Sequence, residues 1–232
     1  MKKIILIITI MFSYTDFYGQ EQKFRFPVWI SYAKNTDIAG ISLSAFPTDL
    51  INETNYGNTR RTFGLHTEVF LLSPFYFLAP RSPLSTSDKD YEFLIRTGTV
   101  NQKIYGFNLT TGSFELIDSH GITITGFLHY SRKNDGIAIA GISNHIERAN
   151  GLIISTLGNE AYKSNGILIG FGNTVNYFNG LQLGGFNEIE TKGVGVQIGV
   201  FNKAKNHRGI QLGLWNKNDK RSFPIINWNF KG

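Results

Sequence analysis

The sequence of 232 residues predicts an all-β fold. The first reading is a closed antiparallel barrel of roughly twelve strands, built from repeats of 14–15 residues; the alternative is a parallel β-solenoid. Three observations lead there. Glycines 106, 121, 136, 151, 166, 180, 195 and 209 open eight copies of one phrase, spaced 15, 15, 15, 15, 14, 15 and 14 residues apart. Self-similarity at a fixed period decides architecture before any local propensity does. Inside each copy hydrophobicity alternates with period two, which is a strand and not a helix. Asp135-Gly136, Asn150-Gly151, Asn165-Gly166 and Asn179-Gly180 then supply the residue pairs that favour tight turns between strands.

Taken in order, the chain opens with Met1-Lys2-Lys3, an apolar run over 4–12 (IILIITIMF) and a polar end at Ser13–Gln20. That is the pattern of a secretory signal peptide over 1–20, too short to span a bilayer as a helix. It leaves 21–232 as a single all-β repeat domain. Residues 24–33 read as a first strand, and Gly40-Ile41-Ser42-Leu43-Ser44 is a degenerate copy of the repeat. Residues 49–62 are a polar loop, and Gly64–Leu72 alternates loosely. The segment Ser73–Pro80 is aromatic, bounded by prolines and fits neither period. It reads as core packing, with a plug, an end cap or a membrane-dipping loop as the other options. Residues 81–90 are a polar loop, Tyr91–Val100 another strand, and no segment reads as a helix.

The regular repeats occupy 106–216. With the opening glycine as position one, positions two and four are large and apolar in every copy, as in Val196 and Ile198 or Ile210 and Leu212. Position five is small, from Thr110 through Ser155 to Gly213, and position three drifts from Asn108 and Thr123 to Gln182, Gln197 and Gln211. One face of each strand is aliphatic and the other small and amide-bearing. Residues 217–232 form a charged turn and a C-terminal strand, with Ile226, Trp228 and Phe230 on one face.

The leader, the G-[ILV]-x-[ILV]-G-x-x-N phrase and the ending RGIQLGLWNKNDKRSFPIINWNF (208–230) resemble bacterial surface-repeat-containing proteins, exported envelope proteins with runs of such repeats. The resemblance covers 106–230 well and the front half loosely. It implies a surface or outer-membrane location and no established activity. Copies from 106 to 151 lack the Gln and Gly of the pattern, which predicts a different environment there.

Burying an aliphatic side chain contributes roughly 1.5–3 kcal/mol, so the aliphatic face must be covered. In an outer-membrane barrel it points to lipid, and closure removes the sheet edges. In a solenoid it points inward. Asn144, Asn159, Asn173, Asn187, Asn202 and Asn216 then stack as a polar ladder, and Ile146, Ala161, Val175, Ile189 and Ala204 face inward from a return strand. The expected function is a non-enzymatic cell-envelope protein: a barrel with a structural or narrow-pore role, or else an exported solenoid binding polysaccharide or another surface. The expected partners are outer-membrane lipid and an anionic polysaccharide, the latter from the net charge of +6.

No nucleic-acid partner is expected for an exported chain. Cysteine is absent, which excludes disulfides and thiolate metal sites. The histidines, His66, His120, His129, His145 and His207, make no ligand motif. Glu188 and Glu190 share a strand face as a carboxylate pair would, but read as a solvated turn. No catalytic, cofactor-binding or metal-ligating residue is assigned, and no cofactor is expected.

Overall fold

The computed structural model describes residues 22–31, 35–46, 59–78, 84–98, 100–113 and 117–230; the expected signal peptide lies outside them. Twelve strands form one sheet. They are β1 (Lys23–Arg25), β2 (Val28–Ile30), β3 (Thr36–Ser44), β4 (Arg60–Glu68), β5 (Gln102–Thr110), β6 (Ile117–Thr125), β7 (Leu128–Ala140), β8 (Ser143–Ser155), β9 (Gly158–Ile169), β10 (Gly172–Ala204), β11 (His207–Lys217) and β12 (Ser222–Asn229).

The pairing overturns the barrel. Residues of β8 pair in parallel with residues 15 places on in β9, as Asn144↔Asn159 and Gly151↔Gly166. The same register carries through β10 and β11, where Gly195↔Gly209 and Asn202↔Asn216. Parallel strands joined by two-residue links cannot be a hairpin series, so from Gly106 the chain must complete one circuit every 14 or 15 residues; the coils before it, Gly40↔Gly64 and Gly64↔Gly106, carry longer connections. The result is a β-solenoid of about eleven coils. Only β12 among the described strands runs antiparallel, laid along β11 with Ile226 opposite Leu212 and Trp228 opposite Ile210.

Each coil has two corners and two arms. The repeat glycine makes one corner, with φ between +117° and +152° along the column from Gly40 to Gly209. The second corner closes the coil at pairs such as Thr156-Leu157. Asn144 shows that the two arms lie against each other, since its Nδ2 donates to the Ile154 carbonyl, ten residues on, at 2.8 Å.

The solenoid expectation holds for the incoming arm, which precedes the glycine. Ile146, Ala161, Val175, Ile189 and Ala204 are all buried. The asparagines form the ladder, each Nδ2 donating to the next Oδ1 at 2.7–2.8 Å from Asn144 to Asn216. A second ladder runs Asn227→Gln211→Gln197→Gln182, at 3.1, 2.7 and 2.7 Å. Identical amides stack only when copies lie parallel and in register, which is why near-identical repeats suit a coil.

The outgoing arm corrects the solenoid expectation as well. Positions three and five face inward: Ile153, Leu168, Gln182, Gln197 and Gln211 are at most 1% exposed. The aliphatic positions two and four face outward. The Asn ladder sets this parity. A Cβ at Gly184 would lie 2.7 Å from Asn173 Nδ2, and one at Gly213 2.6 Å from Asn202 Nδ2. Position five therefore points into the ladder, and period two sends positions two and four to the surface. The early copies, which lack these glycines, close differently: Thr110 bonds Thr125, and Ser113 bonds His129.

The ladder has a testable energetic role. Asn187 accepts from Asn173 and donates to Asn202 and to the Ile198 carbonyl, all inside the coil. Asn187→Leu leaves those groups buried without a partner, at roughly 1–3 kcal/mol for each. A loss of about 3 kcal/mol or more is expected in urea unfolding followed by circular dichroism, and a loss below about 1 kcal/mol would refute it.

A helix, α1 (Asp88–Thr97), stands where the sequence predicts the end of the loop at 81–90 and most of the strand at Tyr91–Val100; residues 81–83 and 99 lie outside the described residues. Its N-cap Ser87 accepts from the Asp90 N–H and donates to the Asp90 carboxylate, a local box that starts a helix. The segment Ser73–Leu78 is a 3-10 helix. Its Tyr76 packs with Phe70 and Leu128, which agrees with core packing, while Leu71, Phe75, Phe77 and Leu78 remain exposed.

Candidate functional site

The outer surface of the outgoing arms, the front face, consists of positions two and four of every coil. The columns contain Ile41 and Leu43, Leu65 and Thr67, Phe107 and Leu109, Ile122 and Ile124, and so on to Ile210 and Leu212. Ile226 and Trp228 extend them across β12. Thr67 is the sole polar residue in these columns and none is charged. These side chains are half-buried to exposed, with Phe107 at 56%, Leu109 at 48% and Ile198 at 41%.

An aromatic ridge borders the front face at the coil-closing corner. It runs through Phe171, Phe186, Phe201 and Trp215, all exposed. Phe186 and Phe201 stack with centroids 5.3 Å apart and planes 11° apart, whereas Phe171 meets Phe186 edge-on at 69°. At the C-terminal end Leu183, Ile198, Val200, Leu212, Leu214 and Ile225 line an open apolar trough of about 680 Å³. Ile225 sits there at φ +66°, beside the register shift between Gly213 and Asn216. A β-branched residue in that region is strained, and it holds an apolar side chain over the trough.

The back of the coil is covered by the chain itself. Tyr91 of α1 stacks on Tyr162 at 4.9 Å. The Tyr162 and Tyr177 hydroxyls donate to the two Asp88 oxygens, at 3.1 and 2.7 Å; the bond raises the Tyr177 pKa and lowers that of Asp88, while burial first, then the Asp88 bond, raises that of Tyr162. Arg132 makes a buried bidentate pair with Asp118 at 2.6 and 2.9 Å. It also donates to the Gly98 and Leu94 carbonyls at 2.7 and 3.2 Å, placing a cation at the helix C-terminus where the dipole favours it. The helix thus covers the incoming arms around Arg132, Tyr162 and Tyr177 and, among the described residues, makes no contact with the front face.

The acidic and histidine residues are dispersed among the coils. Glu188 is paired with Lys203 at 2.5 Å, and Glu190 accepts from Asn176 at 3.2 Å, so both serve contacts between coils. His120 lies 3.1 Å from Asp135, and His145 lies 2.9 Å from Glu160 while stacking on Tyr130. His66 and His129 are buried, and burial lowers each pKa to about 3. Among the described residues no group of three His, Asp or Glu converges as metal ligands would.

Sequence reasoning found every residue of the front face but faced it to lipid or to the core. It assigned no site, and the outward face emerges only once the Asn ladder fixes the parity of each arm. Comparison with protein-family models, with curated proteins and with solved structures returns no match for this chain.

Proposed function

We propose that this is a non-enzymatic β-solenoid of the bacterial cell envelope that works by docking its front face onto a second copy of itself. The observation that carries the proposal is the two outward columns, apolar from Ile41 to Leu212 apart from Thr67. Ten coils at the ~4.8 Å strand spacing make a strip about 50 Å long. With the aromatic ridge it is about 15 Å wide over the last four coils and about 10 Å elsewhere, or roughly 600 Å² in all. That reaches the top of the ~300–600 Å² range for the largest apolar patch of an ordinary monomer and approaches the ~800 Å² each partner contributes to a stable interface.

A second copy fits because both faces share one rung period. The ridges of one sheet index into the grooves of the other at the ~10 Å distance of packed sheets; no charged residue stands in the columns, and Arg221 flanks them by stacking on Trp228 at the β12 end. An anionic membrane fits less well. Lys203, Lys205 and Lys217 belong to the incoming arm, away from the apolar strip they would need to border. A polysaccharide as occupant of this strip is disfavoured because the columns offer its hydroxyls a single polar side chain, Thr67. Export is supported by the leader pattern over 1–20, and the envelope location by the repeat resemblance.

Sedimentation equilibrium of the mature chain tests this. A dimer is expected, and Ile198→Lys should weaken it at least about 100-fold, roughly 2.7 kcal/mol. Its effect on monomer unfolding should be small because the side chain is already 41% exposed in the single chain. A wild-type monomer at all concentrations would end this reading, and flotation of that monomer with neutral vesicles would assign the strip to lipid.

A further inference from the structure

We infer that the C-terminal end of the solenoid carries a binding site for a phosphate- or sulfate-bearing sugar unit, distinct from the front face. The site is a cavity of about 530 Å³ at the glycine corner of the last two coils, lined by Lys192, Gly193, Arg208, Asn218, Lys220 and Asn229 among others. The parallel register creates it. Gly193 lies beside His207 and Val194 beside Arg208, which brings Lys192 and Arg208 onto adjoining coils. The turn after β11 then carries Asn218 and Lys220 to the same corner. Gly193 fits only without a side chain, since a Cβ there would point into the coil and come within 2.6 Å of buried Ile189.

The chemistry of the lining is that of an anion receptor. Three cations border the cavity against a single carboxylate, Asp219, which is engaged by the Asn206 backbone N–H. Among the described residues neither Lys192 nor Arg208 has an ion-pair partner, whereas Lys203 on the same arm is paired with Glu188. Lys220 reaches Asn229 Oδ1 at 3.3 Å, which holds its ammonium at the rim. Asn218 is 4% exposed, and its Oδ1 accepts from the Lys220 and Arg221 N–H groups while its Nδ2 is buried without a partner. An unpartnered buried donor beside three cations matches an oxyanion, which offers acceptors and negative charge together. Arginine adds the fork that grips two phosphate oxygens at once.

The size argues for more than a free ion. The volume falls within the ~300–1,000 Å³ typical of small-molecule sites, several times the space one oxyanion fills. The space beyond the cations, bordered by Val194 and Asn206, leaves room for the ring of a sugar. Inorganic phosphate and a sugar phosphate share the anionic chemistry, and comparing them separates the two sources.

Isothermal titration of the full mature chain at low salt with glucose 6-phosphate, inorganic phosphate and glucose tests the site. Glucose 6-phosphate is expected to bind, inorganic phosphate at least about 10-fold more weakly, and glucose not at all. Lys192→Ala combined with Arg208→Ala should weaken glucose 6-phosphate at least 10-fold, with the unfolding midpoint unchanged. Lys205→Ala, an exposed cation outside the cavity, should bind as the wild type does. Loss of affinity on Lys205→Ala equal to that of the double variant would mean diffuse charge attraction and overturn the site. Binding of no anion would overturn it too, and equal binding of inorganic phosphate would reject the sugar. None of these outcomes depends on the dimer, because Ile198→Lys should leave the titration unaltered.

Discussion

Gly180→Ala should unfold the solenoid more readily than any single replacement on its surface, by about 2–6 kcal/mol. Two costs add. Gly180 has φ +142°, which side chains rarely adopt, and forcing one there costs of order 1–3 kcal/mol. The new Cβ would also lie 1.9 Å from the Gly166 carbonyl oxygen and 2.9 Å from its carbon. The obstacle is backbone of the neighbouring coil, held by the parallel ladder on both sides, so it cannot rotate away as a side chain would. The column repeats this geometry at every coil, and relief at one rung strains the next. Gly172→Ala is the control. Its Cβ would meet nothing closer than the Leu157 oxygen at 3.6 Å, and its φ is not in the positive region. That change should be neutral or stabilising by about 0.4–1 kcal/mol. Against a domain stability of about 5–15 kcal/mol, the first variant loses much of its margin and the second none. Matched urea transitions followed by circular dichroism decide it, and coincident midpoints for the two variants would refute the steric argument.

The repeat made much of this fold readable and concealed one decision. Period-two alternation locates strands, but it is the same for parallel and antiparallel neighbours. The near-identity of successive phrases was the signal for coiling, because only in-register parallel copies place Asn173 on Asn187 and Gln182 on Gln197. The direction of the aliphatic face was hidden for a physical reason. Ile198 reads as apolar whether it meets lipid, a core or another protein. What settles it is a fit between two columns: position five must shrink to Gly170, Gly184, Gly199 and Gly213 where the Asn amides occupy the lumen. Helix α1 was missed although Ser87 and Asp90 have capping spacing, because Tyr91, Phe93 and Ile95 alternate as a strand would. The cationic cavity was not legible at all. Lys192 lies on β10, Arg208 on β11 and Lys220 in the turn that follows, and only the coil register and the turn at 218–221 bring them together.

Acid should weaken this fold steeply between pH 6.5 and about 3, through two histidines that the coil interior holds neutral. His66 accepts on Nδ1 from Gln102 Nε2 at 3.0 Å, and His129 Nδ1 meets Ser113 Oγ at 2.7 Å while its Nε2 is buried without a partner. Burial first, then Arg60 near His66 and His145 near His129, brings each pKa down to about 3. The unfolded chain takes up these protons near pH 6.5 and the folded chain does not. The stabilisation is therefore complete above the unfolded pKa and is lost as pH falls towards the folded one. At pH 4.5 each histidine costs about 2–3 kcal/mol relative to pH 7. His207, whose pKa burial also lowers, adds in the same direction. Glu147 works the other way, because burial raises its pKa and the folded state protonates it first. His129→Asn isolates one contribution. Position 129 heads the asparagine column by pairing with Asn144, whose Oδ1 is buried and unpartnered. An amide there offers that oxygen a donor and extends the ladder by one rung. The variant should match the wild type at pH 7 and retain about 2–3 kcal/mol more stability at pH 4.5. Equal acid sensitivity in urea titrations at the two pH values would show that His129 is not the group taking up the proton.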